Sequence, residues 1–252
     1  MSIKITISNF KGGTGKTSST VNIGAALAAK GHKVLLIDLD AQRSLTRCLN
    51  GYSDNTIYEM LLRGSDIEPV EIKENLDLIP ASTDLTNGEI ELSSLPYREQ
   101  RLYKKVISKV EGYYDFILFD TNPAINVLTV NAYNSSDMII APLQAEFLAY
   151  SGFEDLRTIL LEDLEIEVDK VFLTRYDKRK ILARDIAAGL EENYPNKLFN
   201  TVIRENVSIA EAPAMAQDVI SYAPNSHGAE DYLALTDELL EYCTKFQTTK
   251  TL

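Results

Sequence analysis

Hydrophobic positions fall into short continuous runs separated by longer amphipathic stretches. IKITIS at residues 3–8 is β-rich, and KVLLID at Lys33–Asp38 is too continuously apolar for a strand with one wet face, so it reads as a buried strand. Between them, Val21, Ala25, Leu27 and Ala28 recur at helical spacing, and Gly31 stands just beyond, where a glycine closes a helix. Strand, glycine-rich loop, helix and strand make a βαβ unit with a right-handed crossover. Further apolar runs recur at LDLIP (76–80), FILF (116–119), MIIAP (138–142), VFLT (171–174) and LFNTVI (198–203). Helices are predicted near 99–111, 147–162, 181–193, 206–217 and 228–246. In the last, Tyr232, Leu235, Leu239, Cys243 and Phe246 share one stripe. The alternation predicts a three-layer α/β fold, a predominantly parallel twisted sheet with helices on both faces. No linker, repeat or low-complexity tract interrupts it, so residues 1–252 read as a single domain.

Composition narrows the class. A 45% hydrophobic content fits a packed core and excludes a disordered or collagenous chain. No run approaches the ~20 apolar residues of a membrane span, and the start lacks a signal-peptide pattern; a cytoplasmic protein is expected. The two cysteines, Cys48 and Cys243, exclude a disulfide scaffold and read as small packed residues. The two histidines, His32 and His227, stand at no metal-binding spacing. The net charge of −12 argues against a wholesale basic nucleic-acid binder. Its distribution is uneven. Residues 51–100 carry a net −8 and 204–241 a net −7, whereas 171–190 carry a net +3 from Arg175, Lys178, Arg179, Lys180 and Arg184 against two aspartates.

The sharpest chemistry lies in FKGGTGKTS at residues 10–18. GGTGKT has the GKT end of a phosphate-binding P-loop, but Phe10 stands where the first glycine is ordinarily found, so the loop is a variant. Gly12, Gly13 and Gly15 let the backbone around Thr14 wrap a phosphate with its N–H groups turned inward. Lys16 supplies a mobile point charge for the β- and γ-phosphates, Thr17 a hydroxyl for Mg²⁺, and the following helix its positive end. Asp38 and Asp40, two apart at the end of the second strand, share a side if the strand persists, and Asp120 ends the apolar run FILFD. In a parallel sheet these carboxyl ends open onto one crevice.

Several separated stretches in order carry a family resemblance: NFKGGTGKTSSTVNIGAALA, KVLLIDLDAQ, YYDFILFDTNPA, LTVNAY, APLQAEFLAYSG, LTRYD, FNTVIRENVSIAEAP and YAPNSHGAEDY. Over about residues 3–243 the chain resembles the ParA/MinD group of deviant-Walker P-loop ATPases, in particular the ParA/Soj partition proteins. The resemblance implies a P-loop NTPase fold, ATP and Mg²⁺ as cofactors, and a homodimer that sandwiches ATP. It implies that Lys11 reaches the partner's phosphates while Lys16 holds the β/γ-phosphates of its own subunit. Thr17 would ligate Mg²⁺, Ser18 would sit near the α-phosphate, and Asp40 would orient the attacking water. Asp38 would support Lys16 or the metal shell, and Asp120 would hold Mg²⁺ through water. Glu146 would lie at the dimer seam, and the Ile203–Pro213 loop, with Asn206 and Pro213, would flank adenine. A ParB-like adaptor would reset a slow ATPase, and the chain would associate with the nucleoid rather than stably with a membrane.

Two stretches depart from the family pattern. D-x-P-P becomes Asp120-Thr121-Asn122-Pro123, which regains a backbone N–H and adds an amide. Commonly basic positions of the DNA-binding members are Glu205, Ser208, Gln217 and Asn225 here, and His227 replaces a fifth; Arg204 returns one charge. Four lost phosphate contacts would weaken nonspecific duplex binding roughly 10- to 1000-fold. The remaining DNA candidates are Arg175, Lys178, Arg179, Lys180, Arg184 and Arg204, with Lys245 and Lys250 near the tail. The alternative is the same ATPase switch working in positioning or regulation on a protein surface or, with less support from the sequence, a membrane, without appreciable DNA binding. The tail YCTKFQTTKTL is a poor membrane anchor, having few bulky apolar residues.

Overall fold

A computed structural model describes residues 2–146 and 149–250, with the side chains of 149, 150, 249 and 250 set aside. Seven strands form one sheet: β1 (Ile3–Ile7), β2 (Val34–Asp38), β3 (Val70–Lys73), β4 (Leu76–Ile79), β5 (Phe116–Asp120), β6 (Met138–Gln144) and β7 (Lys170–Thr174). Their order is β3-β4-β2-β5-β1-β6-β7, parallel throughout except for β3, which pairs antiparallel with β4 at the edge. The helices are α1 (Lys16–Ala29), α2 (Ser44–Cys48), α3 (Leu85–Ser93), α4 (Ser108–Val110), α5 (Val127–Ser135), α6 (Ala149–Leu164), α7 (Ile181–Asn193), α8 (Val207–Glu211), α9 (Val219–Tyr222) and α10 (His227–Lys250).

The period-2 alternation of a strand explains why the central runs are apolar at every position. Val34 and Leu36 of β2, with Phe116 and Leu118 of β5, point into the layer packed by α1 and α10. Leu35, Ile37, Ile117 and Phe119 point into the opposite layer, packed by α3, α5 and the irregular helical segment before β5. A third cluster joins β6 and β7 to α6 and α7. The α10 stripe is observed: Tyr232, Leu235, Leu239 and Cys243 are buried, and Phe246 packs against them.

Helix α1 lies close to the sheet because of Gly24. A Cβ there would stand 2.7 Å from Leu36 Cδ2 and 3.4 Å from Leu118 Cδ1, both fully buried side chains. Gly24→Ala is expected to lower stability by about 1–2 kcal/mol, because overpacking outweighs the ~1 kcal/mol alanine gains in a helix. Chemical denaturation checks this, and an unchanged or higher midpoint would mean that Leu36 yields without cost.

Three sequence expectations change. LFNTVI forms one isolated bridge, Leu198 to Val171, rather than a strand: Ile203 N–H donates to Leu173 O at 2.8 Å and Phe199 N–H to Val171 O at 2.8 Å, so the segment covers the outer edge of β7. The helix predicted over 206–217 stops at Glu211 and tightens into a 3₁₀ turn, Ala212–Met215, where Pro213 has no N–H to donate. The segment near 99–111 is a 3₁₀ turn (Arg98–Gln100), a π-helical turn (Tyr103–Ile107) and α4 rather than one regular helix. The predicted start of the 147–162 helix lies outside the described residues, and α6 begins at Ala149. Among the described residues no helix is long and apolar enough to cross a membrane.

Candidate functional site

The strand register assembles the site. Asp38 pairs directly with Asp120 across β2 and β5, and Ile7, the last residue of β1, pairs with Asp120 from the other side. The loop therefore emerges beside the carboxylates. Its entry is pinned by Asn9, whose amide donates to Pro142 O at 2.8 Å and whose Oδ1 accepts the Lys11 N–H at 2.9 Å. Gly13 and Gly15 take φ values of +77° and +97°, the left-handed conformation that glycine adopts without strain. Thr174, at the end of β7, donates its hydroxyl to Thr14 O at 2.9 Å and fixes the loop from the far side. The first turn of α1 contains no acidic residue to compete for an anion.

Lys16 is 8% exposed and lies inside the loop, Nζ donating to Lys11 O at 3.3 Å. Burial lowers its pKa, while Asp120 and Asp40 pull it back up. Asp120 is fully buried. Thr17 Oγ1 donates to its Oδ2 at 2.7 Å and Thr20 Oγ1 to its Oδ1 at 3.4 Å. Burial and neighbouring Asp38 push the Asp120 carboxyl well above the usual carboxylate range, opposed by Thr17 and Lys16. Asp38 is equally buried but is taken up by Thr46, through its N–H at 2.9 Å and its hydroxyl at 2.7 Å, and by the Asp40 N–H at 3.1 Å. It braces the turn that carries Asp40, whose own Oδ1 accepts the Gln42 N–H at 2.9 Å.

These elements surround a cleft of about 710 Å³. Its walls are Gly12–Ser18, Asp40, Thr121, Pro123, Thr174, Arg175 and residues 203–207, with Tyr232 among the lining side chains. Asn206 lines it and caps α8, accepting the Ser208 N–H at 2.8 Å. Pro213 lies outside it, against a small neighbouring hollow that also touches Ser18. Cys48 lines the cleft too, its thiol pushed up to about 11 by burial. Lys11, next in the chain to the cleft-lining Gly12, is not part of the lining; its Nζ stands 3.4 Å from Glu146 Oε2, both side chains substantially exposed.

The basic residues do not form one free surface. Arg175, with a left-handed φ of 49°, is exposed and also lines the cleft. Arg204 is clamped by Asp231 and Glu230 at 2.5 and 2.6 Å, and Arg179 is bidentate with Asp177. Lys180 Nζ stands 3.9 Å from Glu205. Lys178 and Arg184 are exposed. The side chain of Lys250 lies outside the described residues.

Sequence reasoning missed Asn9, Thr20, Thr46 and Thr174, ordinary polar residues whose roles appear only once the strand ends converge. The residues present fit a magnesium nucleotide. The cleft has the size of a small-molecule site, and a threonine hydroxyl beside a carboxylate is the hard-oxygen set Mg²⁺ takes. Among the described residues no group of three or more His, Cys, Asp or Glu side chains forms a complete cage. Mg²⁺ ordinarily needs none, since waters and substrate phosphates complete its shell.

Comparison with known proteins agrees. The family model described as "AAA domain" matches residues 2–168. The chain is 37% identical over 247 residues to the sporulation initiation inhibitor protein Soj of Bacillus subtilis, covering 93% of this chain and 97% of Soj. A putative plasmid partition protein of Borrelia burgdorferi B31, solved bound to AMPPNP, superposes with a TM-score of 0.81 at 28% identity, covering 96% of this chain and 100% of that one. The cobyrinic acid a,c-diamide synthase of Mycobacterium smegmatis, solved with an ATP analogue and magnesium, gives 0.80 at 30% identity, covering 97% and 96%. With its variant phosphate loop, strand-end aspartates and near full-length similarity to Soj, the chain belongs to the ParA/Soj/MinD family of deviant-Walker P-loop ATPases.

Proposed function

We propose that the chain is a dimerising ATP switch of plasmid or chromosome partition, which closes around ATP-Mg, engages DNA on the nucleoid and is reset by a ParB-like adaptor. The observation that carries this reading is the pair of loop lysines: Lys16 buried beside Asp120 and lining the cleft, and Lys11 exposed outside the lining against Glu146. On this reading one charge serves the subunit's own nucleotide and the other a neighbour's. In the ATP state water attacks the γ-phosphorus, the bond to the bridging oxygen breaks, and ADP and phosphate leave. Lys16 and the loop N–H groups hold the β/γ-phosphates and neutralise charge developing on the equatorial oxygens. Thr17 would hold Mg²⁺ and Asp120 would hold it through water, with Asp38 supporting Lys16 or that metal shell. When bound, the ion adds charge neutralisation at the β/γ oxygens. Asp40, on the turn braced by Asp38 and Thr46, orients the water. Ser18 lies near the α-phosphate, Asn206 and the loop ending at Pro213 flank adenine, and Glu146 lies at the dimer seam. Sedimentation with ATP and with ADP tests the core: ATP should convert monomer to dimer, and a monomer at every concentration with both nucleotides would overturn it.

A second reading, the same switch on a protein surface, is supported by the internal pairing of Arg204 and Arg179. Counterion release requires cations available to phosphate. DNA affinity therefore rests on the 178–184 segment and should require the dimer, which brings two weak surfaces together. Replacing Lys178, Arg179 and Lys180 with alanine should weaken retention on unrelated duplexes alike. It should also make the salt dependence shallower by about 1–2 in log–log slope, with basal ATPase unchanged. Absence of wild-type binding at low salt, or no effect of the triple variant, would favour the protein-surface reading.

A further inference from the structure

The loop that follows Asp120 is fastened at its far end to a carboxylate from another element. Asn126 caps α5, its Oδ1 accepting the Thr129 N–H at 2.9 Å, while its Nδ2 donates to Glu89 Oε1 of α3 at 2.6 Å. Inside the loop, Asn122 Oδ1 accepts the Ala124 N–H at 3.1 Å, and Thr129 Oγ1 donates to Ala124 O at 2.8 Å. Thr121 and Pro123 of this loop line the cleft. Glu89 thus reaches the cleft wall by a short chain of bonds: carboxylate, Asn126, α5 cap, loop.

Glu89 also lies within electrostatic reach of Asp40. It is half-buried, and burial raises its carboxyl above the ordinary value; Asp40 adds to the rise, whereas the Asn126 amide opposes it. Helix α3 can hold such a group steadily because it packs closely. A Cβ at Gly88 would lie 2.9 Å from the Tyr58 ring, and Glu91 on the same helix forms a two-pronged pair with Arg63. A half-buried carboxylate beside a second one is unfavourable unless a donor compensates it, and here the donor belongs to the loop after Asp120.

We propose that Glu89 is a positioning residue for ATP hydrolysis: through its bond to Asn126 it holds the Thr121–Asn126 loop in register with the Asp40 turn. The kinetic consequence rests on the hydrolytic reading above, but the structural consequence does not. Because the bond touches neither phosphate loop nor base wall, nucleotide binding should be spared while the chemical step suffers. Misplacement of a reacting group by about 1 Å costs up to 100-fold.

Swapping donor and acceptor across the bond provides the test. Asn126→Asp keeps an excellent N-cap for Thr129 but sets a carboxylate against Glu89. It should lower kcat about tenfold or more with KM for ATP within twofold, and speed amide exchange across residues 121–129 of the nucleotide-free protein about tenfold. Glu89→Gln retains an acceptor for the Asn126 amide and should behave nearly as wild type. The double variant Asn126→Asp/Glu89→Gln restores a donor–acceptor pair in the reverse sense, and both kcat and exchange should recover. An Asn126→Asp protein with wild-type kcat and exchange overturns the proposal, and so does a double variant as defective as Asn126→Asp alone. If the wild type hydrolyses no ATP, the ATPase reading fails, and exchange decides the Glu89 assignment alone: protection lost in the single and regained in the double upholds it, and any other pattern ends it.

Discussion

Lys16→Ala should leave the fold in place and reduce ATP turnover by roughly 10³-fold, the upper end of what one preorganised donor contributes to a transition state. The side chain fills no core volume; it crosses the inside of the loop to Lys11 O at 3.3 Å. Its charge is held there against burial, which lowers its pKa, by Asp120 and Asp40, so the arrangement is maintained for an anion rather than for stability. Removing it relieves one desolvated cation and leaves Asp120, already raised by burial and Asp38, more easily protonated. These effects oppose each other, and the melting temperature should move by a few degrees at most. Nucleotide titration, steady-state turnover and circular dichroism would be measured together. Unimpaired turnover in a folded Lys16→Ala protein would remove the phosphate site from this loop.

How far the sequence carried depended on whether a feature is local. GGTGKT is legible because its function is backbone chemistry within a few residues, and Gly13 and Gly15 do occupy left-handed conformations. The apolar runs ending at Asp38 and Asp120 are legible for the same reason. That these two carboxylates stand in register across neighbouring strands is long-range and invisible until the sheet is ordered. Thr46 and Thr174 carry no signal of their own; one matters because Asp38 folds onto it, the other because β7 ends beside the loop. Edge strand β3 escaped because VEIK is four residues with no apolar continuity, paired antiparallel with a bulge. LFNTVI misled in the opposite direction: its apolar content serves the edge of β7 through one isolated bridge and scattered backbone bonds. Charge was countable but not its pairing. Arg204 looks available in sequence, yet Asp231, on α10, holds it through both Nε and a terminal nitrogen. A basic patch inferred from composition is therefore an upper bound on what phosphate can use.

Lys11→Ala should cost nearly as much turnover as Lys16→Ala, yet act in the opposite active site. In one subunit Lys11 rests on Glu146 at 3.4 Å, with side-chain exposures of 36% and 54%. So exposed an ion pair is worth about 0–1 kcal/mol, and a partner's triphosphate, with several negative charges in a drier interface, would draw the lysine away. The Lys11 N–H bond to Asn9 is a backbone bond and survives the substitution, so the loop should keep its shape and its monomer affinity for ADP within about threefold. Mixing the two inactive variants separates the geometries. In a mixed dimer the site on the Lys11→Ala subunit has its own Lys16 and receives an intact Lys11 from its partner, whereas the other site lacks both. Random pairing at equal concentrations should then recover up to about a quarter of wild-type turnover from two preparations that are each nearly inactive. If Lys11 serves its own subunit, every site in the mixture lacks one lysine or the other and nothing is recovered. Sedimentation would verify that mixed dimers form, and a mixture no more active than its components, with those dimers present, would confine Lys11 to its own subunit.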